Sequence, residues 1–197
     1  MYTSTKLKIV FAITIVLFLL TILHIKKYRD YNTGYQIDQQ ELDYVANKNL
    51  YNQLDPLVIT FIEETSLKDN INKYSLTSPL SIQKQNIQLE NSLINKLYFY
   101  NSNELLFIRP TKKCNITLVN PDYLKYFKNM ALGNSNFTFI KQQILDENNY
   151  KKVHIIEIIV REYNILYIPR RWIFKIETED PTIDFYYTNS LLTKIIG

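Results

Sequence analysis

The sequence predicts a mainly β domain with a few helices, carried behind an N-terminal transmembrane helix. Residues 9–25, IVFAITIVLFLLTILHI, contain no Asp, Glu, Lys or Arg. Short apolar runs rich in β-branched and aromatic residues recur between residues 57 and 187, which is typical of strands. The last four runs are separated by too few residues for crossover helices, so this end of the chain should be antiparallel. Many short strands with few helices favour a sandwich or a barrel.

Composition places the chain among folded proteins and locates its charge. The 197 residues suit one domain plus an extension, and 46% hydrophobic against 21% charged residues argue against global disorder. The net charge is +4, and basic residues cluster on both sides of the apolar run. They are Lys6, Lys8, Lys26, Lys27 and Arg29. This pattern indicates membrane flanking, and we expect no nucleic-acid partner.

The apolar run predicts a single-pass membrane protein with a lipid bilayer as its first partner. Residues 1–8 form a polar tail, residues 9–25 the transmembrane helix, and residues 26–50 a juxtamembrane linker with a helical pattern over 39–50. The run covers roughly 25 Å, and flanking lysines can extend it toward a hydrocarbon core of about 30 Å. A cleaved signal sequence is the competing interpretation, but no small-residue cleavage site follows the run. A buried core helix is a further alternative.

The side of the membrane that the domain faces is left open by two opposing signals. Lys26, Lys27 and Arg29 follow the apolar run and favour a cytoplasmic domain. Asn115 and Asn136 begin glycosylation sequons, which require the opposite side.

A folded domain is predicted over residues 51–197. Ser66 is expected to cap a short helix that runs to residue 74. Asn120 and Pro121 are expected to start a second helix that runs to residue 132, where Gly133 ends it. Strands are predicted at residues 57–62, 97–100, 105–108, 114–119, 137–140, 153–160, 163–168, 172–177 and 183–187.

Three segments, in the right order, resemble cupin-like domains of the JmjC type. Residues 164–174, NILYIPRRWIF, are similar to the late motif of that family, in which a strand, an Ile-Pro turn and a Trp precede a metal-binding His. Residues 104–110 with 120–124 resemble its central strand and the Pro-led segment that follows, and residues 55–59 resemble its first strand. The resemblance covers residues 51 to about 187 and implies a double-stranded β-helix, a distorted jelly roll. Membrane-anchored domains of this degenerate kind also resemble proteins of large DNA viruses.

The same resemblance implies that the family's iron chemistry is lost. Its dioxygenases hold Fe(II) with a His-x-Asp/Glu pair and a distant His. Phe174 stands where the distant His is expected, and the nearest candidate stretch for the pair, residues 78–83, contains no histidine. His154 begins a His-x-x-Glu with Glu157, but it lies after the central helix, so a structural histidine is the favoured interpretation. We therefore expect no metal ligand, no cofactor and no catalytic residue.

The remaining candidate residues point to binding, each beside a structural alternative. Arg161, Arg170 and Arg171 are candidates for an anion-binding cluster, although the last two fit a solvated turn. Trp172 is a candidate for an adhesive surface or for the core. Cys114, the single cysteine, excludes an intrachain disulfide and fits a half-buried strand position.

The functional expectation is a non-catalytic, single-pass membrane protein whose domain binds an unidentified protein, in a virion or a host internal membrane. Two alternatives remain. One is an Fe(II)/2-oxoglutarate oxygenase or small-ligand binder that uses the cupin pocket. The other is an unrelated β-sandwich surface module. Fold analogy alone does not decide among them.

Overall fold

The protein consists of an N-terminal helix and a β domain of two six-stranded sheets. The computed structural model describes residues 2–29, 36–46, 50, 53–60, 66–73, 76, 83–88, 97–100, 105–126, 129–130, 137–140, 152–169, 171–178 and 183–189. The helices are α1 (Tyr2–Arg29), α2 (Leu42–Val45), α3 (Leu67–Lys73) and a 3₁₀ helix (Pro121–Tyr126). The strands are β1 (Asp38–Glu41), β2 (Leu57–Thr60), β3 (Gln83–Gln88), β4 (Leu97–Tyr100), β5 (Leu105–Pro110), β6 (Cys114–Val119), β7 (Asn129–Met130), β8 (Phe137–Ile140), β9 (Ile155–Val160), β10 (Ile165–Pro169), β11 (Ile173–Glu177) and β12 (Ile183–Asn189).

The strands are divided between two sheets in the manner of a jelly roll. The first sheet has the order β1-β2-β10-β5-β12-β3, and the second has the order β7-β8-β4-β11-β6-β9. The last four strands are antiparallel to their neighbours, as predicted, but none of them pairs with another of the four. Each successive strand from β9 to β12 crosses to the opposite sheet. The predicted fold class, mainly β with a jelly-roll-like domain after an apolar helix, is confirmed.

Strand β10 is buried on both of its faces, which explains its uninterrupted apolar sequence. Leu166 and Ile168 point between the two sheets, into the inter-sheet core. Ile165 and Tyr167 point to the other face, where α2 and α3 cover the first sheet. Because side chains alternate along a strand, two separate apolar layers require a continuous apolar run.

Helix α1 is long and apolar enough to span a membrane. Its apolar stretch, Thr5–Leu23, is not buried against any other described part of the chain. Thr14 and Thr21 donate their hydroxyl protons to the carbonyl oxygens of Val10 and Leu17, one turn earlier, so neither hydroxyl lacks a partner inside the helix. Signal sequences share this length and composition, so α1 by itself fits either an anchor or a signal.

The β domain begins earlier than the predicted boundary at residue 51. Residues 38–41 form β1, which pairs in parallel with β2, although the helical pattern begins at residue 39. Leu42 and Val45, in the following helical turn, are buried beneath the first sheet. The helical pattern over residues 39–50 therefore agrees with the structure at Leu42–Val45 but not at residues 39–41, where pairing with β2 determines the backbone.

The second predicted helix is much shorter than expected, whereas the first is confirmed. Ser66 accepts a hydrogen bond from the Asp69 N–H at 3.1 Å and caps α3. Asn120 Oδ1 accepts a hydrogen bond from the Asp122 N–H at 3.0 Å, so the predicted start is also correct. The structure forms only a 3₁₀ helix there, and Asn129–Met130 already pairs with β8, which uses backbone groups that a longer helix would need.

Candidate functional site

The space between the two sheets, where a cupin holds its ligands, is filled by apolar side chains. Val58, Leu106, Ile108, Leu166, Ile168, Ile183 and Phe185 come from the first sheet, and Cys114, Ile116, Leu118, Val160, Phe174 and Ile176 come from the second, with Trp172 beside them. All of these side chains are at least nine-tenths buried. The cupin pocket that the sequence analysis considers as a ligand site would lie in this space. In the described residues the space has the composition of a packed core.

Phe174 is one of the largest side chains in this cluster. Its side chain is 1% exposed, and its ring centroid lies 6.4 Å from that of Phe185 on the opposite sheet, at an interplanar angle of 36°. A phenyl ring offers a metal no lone pair, so this position contributes packing and no coordination.

The other candidate ligands do not reach the interior. His154 and Glu157 are both exposed, at the start and in the middle of β9. Residues 78–82 of the stretch expected to carry the His-x-Asp pair lie outside the described residues. Within the ranges that the structure describes, no three His, Cys, Asp or Glu side chains are grouped so that they could hold a metal ion.

Cys114 lies deeper than the half-buried position that was expected. Its side chain is 2% exposed on the inner face of β6, and burial raises the pKa of its thiol to about 12. Because the thiolate is the reactive form, this cysteine is an inert core residue at neutral pH.

Trp172 belongs to the core, so the adhesive-surface alternative is wrong for this residue. It is 1% exposed, and its indole Nε1–H donates to the Leu54 carbonyl oxygen at 3.1 Å. A buried indole normally needs such a partner. Trp172 thereby fastens the segment that leads into β2 to the turn between β10 and β11.

Tyr167 makes a similar connection that the sequence did not predict. Its hydroxyl oxygen lies 3.1 Å from the Leu50 carbonyl oxygen and 3.0 Å from that of Gln53, close enough to donate to either. Tyr167 and Trp172 together tie residues 50–54 to the sheets. In each of these hydrogen bonds the donor and the acceptor are more than a hundred residues apart in the chain, so no local pattern indicates the contact.

Two of the three arginines expected to form an anion site are described by the structure. Arg161 precedes β10 and Arg171 follows it, so the length of that strand separates them. Arg161 and Arg171 each belong to a tight turn. Asn164 N–H donates to the Arg161 carbonyl at 3.2 Å, and Trp172 N–H donates to the Pro169 carbonyl at 3.4 Å. Arg170 lies outside the described residues.

Both turns hold a non-glycine residue in the left-handed region. Tyr163 and Arg171 each have φ of 68° at the third position of their turn. This conformation costs an ordinary residue about 1–2 kcal/mol, and it is usually left to glycine, of which the chain has only 3. The two turns flank β10, one at each end.

A small polar cleft lies at the Arg161 end of the domain. It has a volume of about 270 Å³ and is lined by Arg109, Pro110, Thr111, Glu162 and Tyr163. Arg109 Nη2 pairs with Asp184 Oδ2 at 3.3 Å beside it, with both side chains largely buried. The residues come from separate parts of the chain, so the sequence alone did not group them.

Of the two sequons, one lies on a strand and the other outside the described residues. Asn115 is exposed on the outer face of β6, between Ile159 of β9 and Glu177 of β11. Asn136 lies among residues that the structure does not describe. Glycosylation at either position stays a prediction.

Comparison with known proteins finds likeness only among solved structures. No protein-family model matches the sequence, and no curated protein matches it. The non-heme iron oxygenase OrfP, with Fe, succinate and (3R,4R)-dihydroxy-L-Arg, is 10% identical with a TM-score of 0.43, over 77% of this chain and 79% of that one. A mutant of OrfP with (3S)-hydroxy-L-Arg is 10% identical with a TM-score of 0.37, over 77% and 78%.

RmlC from Streptococcus suis, in complex with dTDP-D-xylose, is 13% identical with a TM-score of 0.33. That alignment covers 66% of this chain and 56% of RmlC. At such identities and scores the chemistry of these enzymes does not carry over to this chain.

Proposed function

We propose that this protein is a non-catalytic, single-pass membrane protein whose jelly-roll domain acts as a structural or protein-interaction module. The observation that carries the proposal is the apolar packing of the barrel interior around Phe174. A cupin enzyme needs polar ligands and open volume at that place. Here the interior contributes to folding, which leaves the outer surfaces for function.

Helix α1 acts as an uncleaved anchor that holds the domain close to the bilayer. Residues 30–37 are all that separates α1 from β1. Eight residues at up to ~3.5 Å each reach at most about 28 Å. The connection ends in a sheet strand, since β1 pairs with β2 and Asp38 N–H donates to the Pro56 carbonyl at 3.4 Å. The resemblance to viral membrane-anchored proteins favours a virion membrane or a host internal membrane.

Membrane attachment is tested by fractionation of cells that express the full chain. We expect it to stay in the membrane pellet through alkaline carbonate, with its N-terminus intact by mass spectrometry. Replacing both Leu17 and Leu19 by Lys should release it, since each Lys at a helix centre costs about 2.5–3.5 kcal/mol of insertion. Thr5→Lys is the matched control, because a lysine at the end of the span can reach the interface. Removal of α1 during expression would contradict the anchor.

Loss of catalysis is tested on the full chain in detergent micelles. The purified protein is loaded anaerobically with Fe(II), and bound iron and conversion of 2-oxoglutarate to succinate are measured. We expect no stoichiometric iron and no turnover. Stoichiometric iron together with turnover would overturn the proposal and support the oxygenase alternative. Iron-independent binding of a small molecule in the interior would favour the ligand-binding alternative.

A further inference from the structure

Strand β9 is an edge strand that lacks the usual protection of an edge. In the described part of the chain it pairs with β6 on one side and with no strand on the other. Its sequence is IIEIIV, with Glu157 as the only charged residue. Soluble proteins generally protect such edges with lysine, proline or a bulge, because unpaired N–H and C=O groups recruit further strands. None of these three features occurs within β9.

The side chains of β9 are also incompletely covered. Ile159 is 55% exposed on the outer face of the second sheet. Outside α1, the other large hydrophobic residues exposed to this degree or nearly so in the described ranges are Tyr44 and Tyr163, which carry hydroxyl groups. Ile156 and Ile158 face the inter-sheet core but are only partly buried. A strand added at this edge would bury apolar surface of all three isoleucines.

The outer face of β9, together with Arg161 directly after the strand, is complementary to itself. Glu157 and Arg161 are both exposed and lie two residues before and two residues after Ile159. If two copies of β9 pair antiparallel with Ile159 opposite Ile159, each Glu157 lies opposite the Arg161 of the other copy. Residues directly opposite in such a ladder have Cβ atoms about 4.5–5.5 Å apart, within reach of an ion pair. One apolar pair on the twofold axis is thus flanked by two opposite-charge pairs.

We infer that the partner of this domain is a second copy of the same chain, bound edge to edge through β9. The inference rests on the proposed function, because it names the partner of the interaction module. Closed twofold pairing uses the same patch on both copies. A six-residue edge gives a small interface of the transient class, and confinement to one membrane raises the effective concentration of the two copies.

Disulfide trapping in membranes tests the contact directly. In Ile159→Cys the two introduced thiols lie opposite each other, at a Cα separation of about 4.5–5.5 Å that a disulfide spans. Wild-type Cys114 is buried and serves as the background control. Asn115→Cys is the matched control, because Asn115 is exposed on the same face but one strand inward, opposite Ile159. Across the pair its two copies lie about 14 Å apart, beyond disulfide reach.

Charge reversal tests the register. Glu157→Lys and Arg161→Glu each place like charges opposite one another twice per dimer, and we expect association roughly tenfold weaker. The double reversal restores the opposite charges and should restore trapping of Ile159→Cys. All variants keep α1, so any contribution of helix–helix contact is constant.

The expected result is a trapped dimer for Ile159→Cys alone, weakened by each reversal and recovered by the double reversal. Absence of the dimer, equal trapping of Asn115→Cys, or no recovery in the double reversal would each overturn the inference. Thermal unfolding confirms that every variant is folded. Failure of trapping in a protein that remains membrane-bound and inactive rejects only the β9 contact, whereas iron-dependent turnover rejects the proposed function itself.

Discussion

Truncation of Phe174 distinguishes a packed core from an open pocket. Phe174 is 1% exposed and contacts the ring of Phe185 across the sheets. Phe174→Ala in a packed core removes buried surface and leaves a cavity, at a cost of about 3–5 kcal/mol. At a urea dependence of roughly 2 kcal/mol per M, the midpoint of unfolding should fall by about 2 M. If Phe174 lined an open pocket instead, Phe174→Ala would remove far fewer contacts and the urea midpoint would fall far less.

The assay uses the only tryptophan of the chain as its reporter. Trp172 is buried in the same cluster, so its emission reports unfolding of the β domain in the full-length protein in detergent. Phe174→Leu keeps most of the volume and should cost about 1–1.5 kcal/mol, which leaves a measurable transition if the alanine variant does not fold. Tyr44→Ala removes an aromatic ring that is 64% exposed and should cost under about 1 kcal/mol. Equal effects of Phe174→Ala and Tyr44→Ala would refute the packed-core interpretation.

Two further predictions concern buried polar groups. Tyr167→Phe removes a hydroxyl bonded to a backbone carbonyl and should lower the free energy of unfolding by about 1–2 kcal/mol. Tyr186→Phe should be neutral or stabilising, since the buried Tyr186 hydroxyl has no hydrogen-bond partner among the described residues. Denaturant titration of both variants checks this, and a larger loss for Tyr186→Phe would contradict it. Burial raises the pKa of Cys114 from 9.0 to about 12, so between these values the unfolded thiol ionises while the folded thiol stays protonated. Stability should therefore fall as pH rises above about 9, less steeply in Cys114→Ala, and an identical alkaline slope in both proteins would contradict the assignment.

The sequence was sufficient for the elements whose causes are local. The runs that became β10, β11 and β12 are rich in β-branched and aromatic residues and lie between turn residues, so their existence follows from composition and spacing. The cap of α3 at Ser66 follows from a four-residue pattern. In each case the residues that determine the structure lie within a few positions of it in the sequence.

The elements that failed depend on distant partners. Residues 38–41 carry two glutamines and two acidic residues, a poor strand sequence, yet they form β1 because β2 offers a free edge. The helix expected after Asn120 is cut short where Asn129–Met130 meets β8. Sheet membership is equally non-local, since each strand from β10 to β12 lies in the sheet opposite to that of the strand before it. Pairing across such separations overrides weak local preference.

The same distinction between local signals and distant contacts applies to the candidate site. A local motif singled out Phe174, and the structure buries this residue between the sheets, whereas the loss of a ligand at its position stays a prediction. The sequence grouped Arg161 with Arg171, but these residues lie at opposite ends of β10, a strand length apart, and anion binding by either stays a prediction. Trp172 and Tyr167 acquired their roles from carbonyls in residues 50–54, which no local pattern connects to them.

The proposed function assigns different roles to the interior and to the outer surfaces of the jelly roll. A ligand pocket keeps polar groups and open volume between the sheets, and both subtract from the apolar burial that stabilises the fold. Phe174 packs on Phe185, and burial keeps Cys114 as a thiol, so both residues contribute to stability. Under the proposed function, interaction uses the outer surfaces. Among the described edge strands β1, β3, β7 and β9, the most apolar is β9.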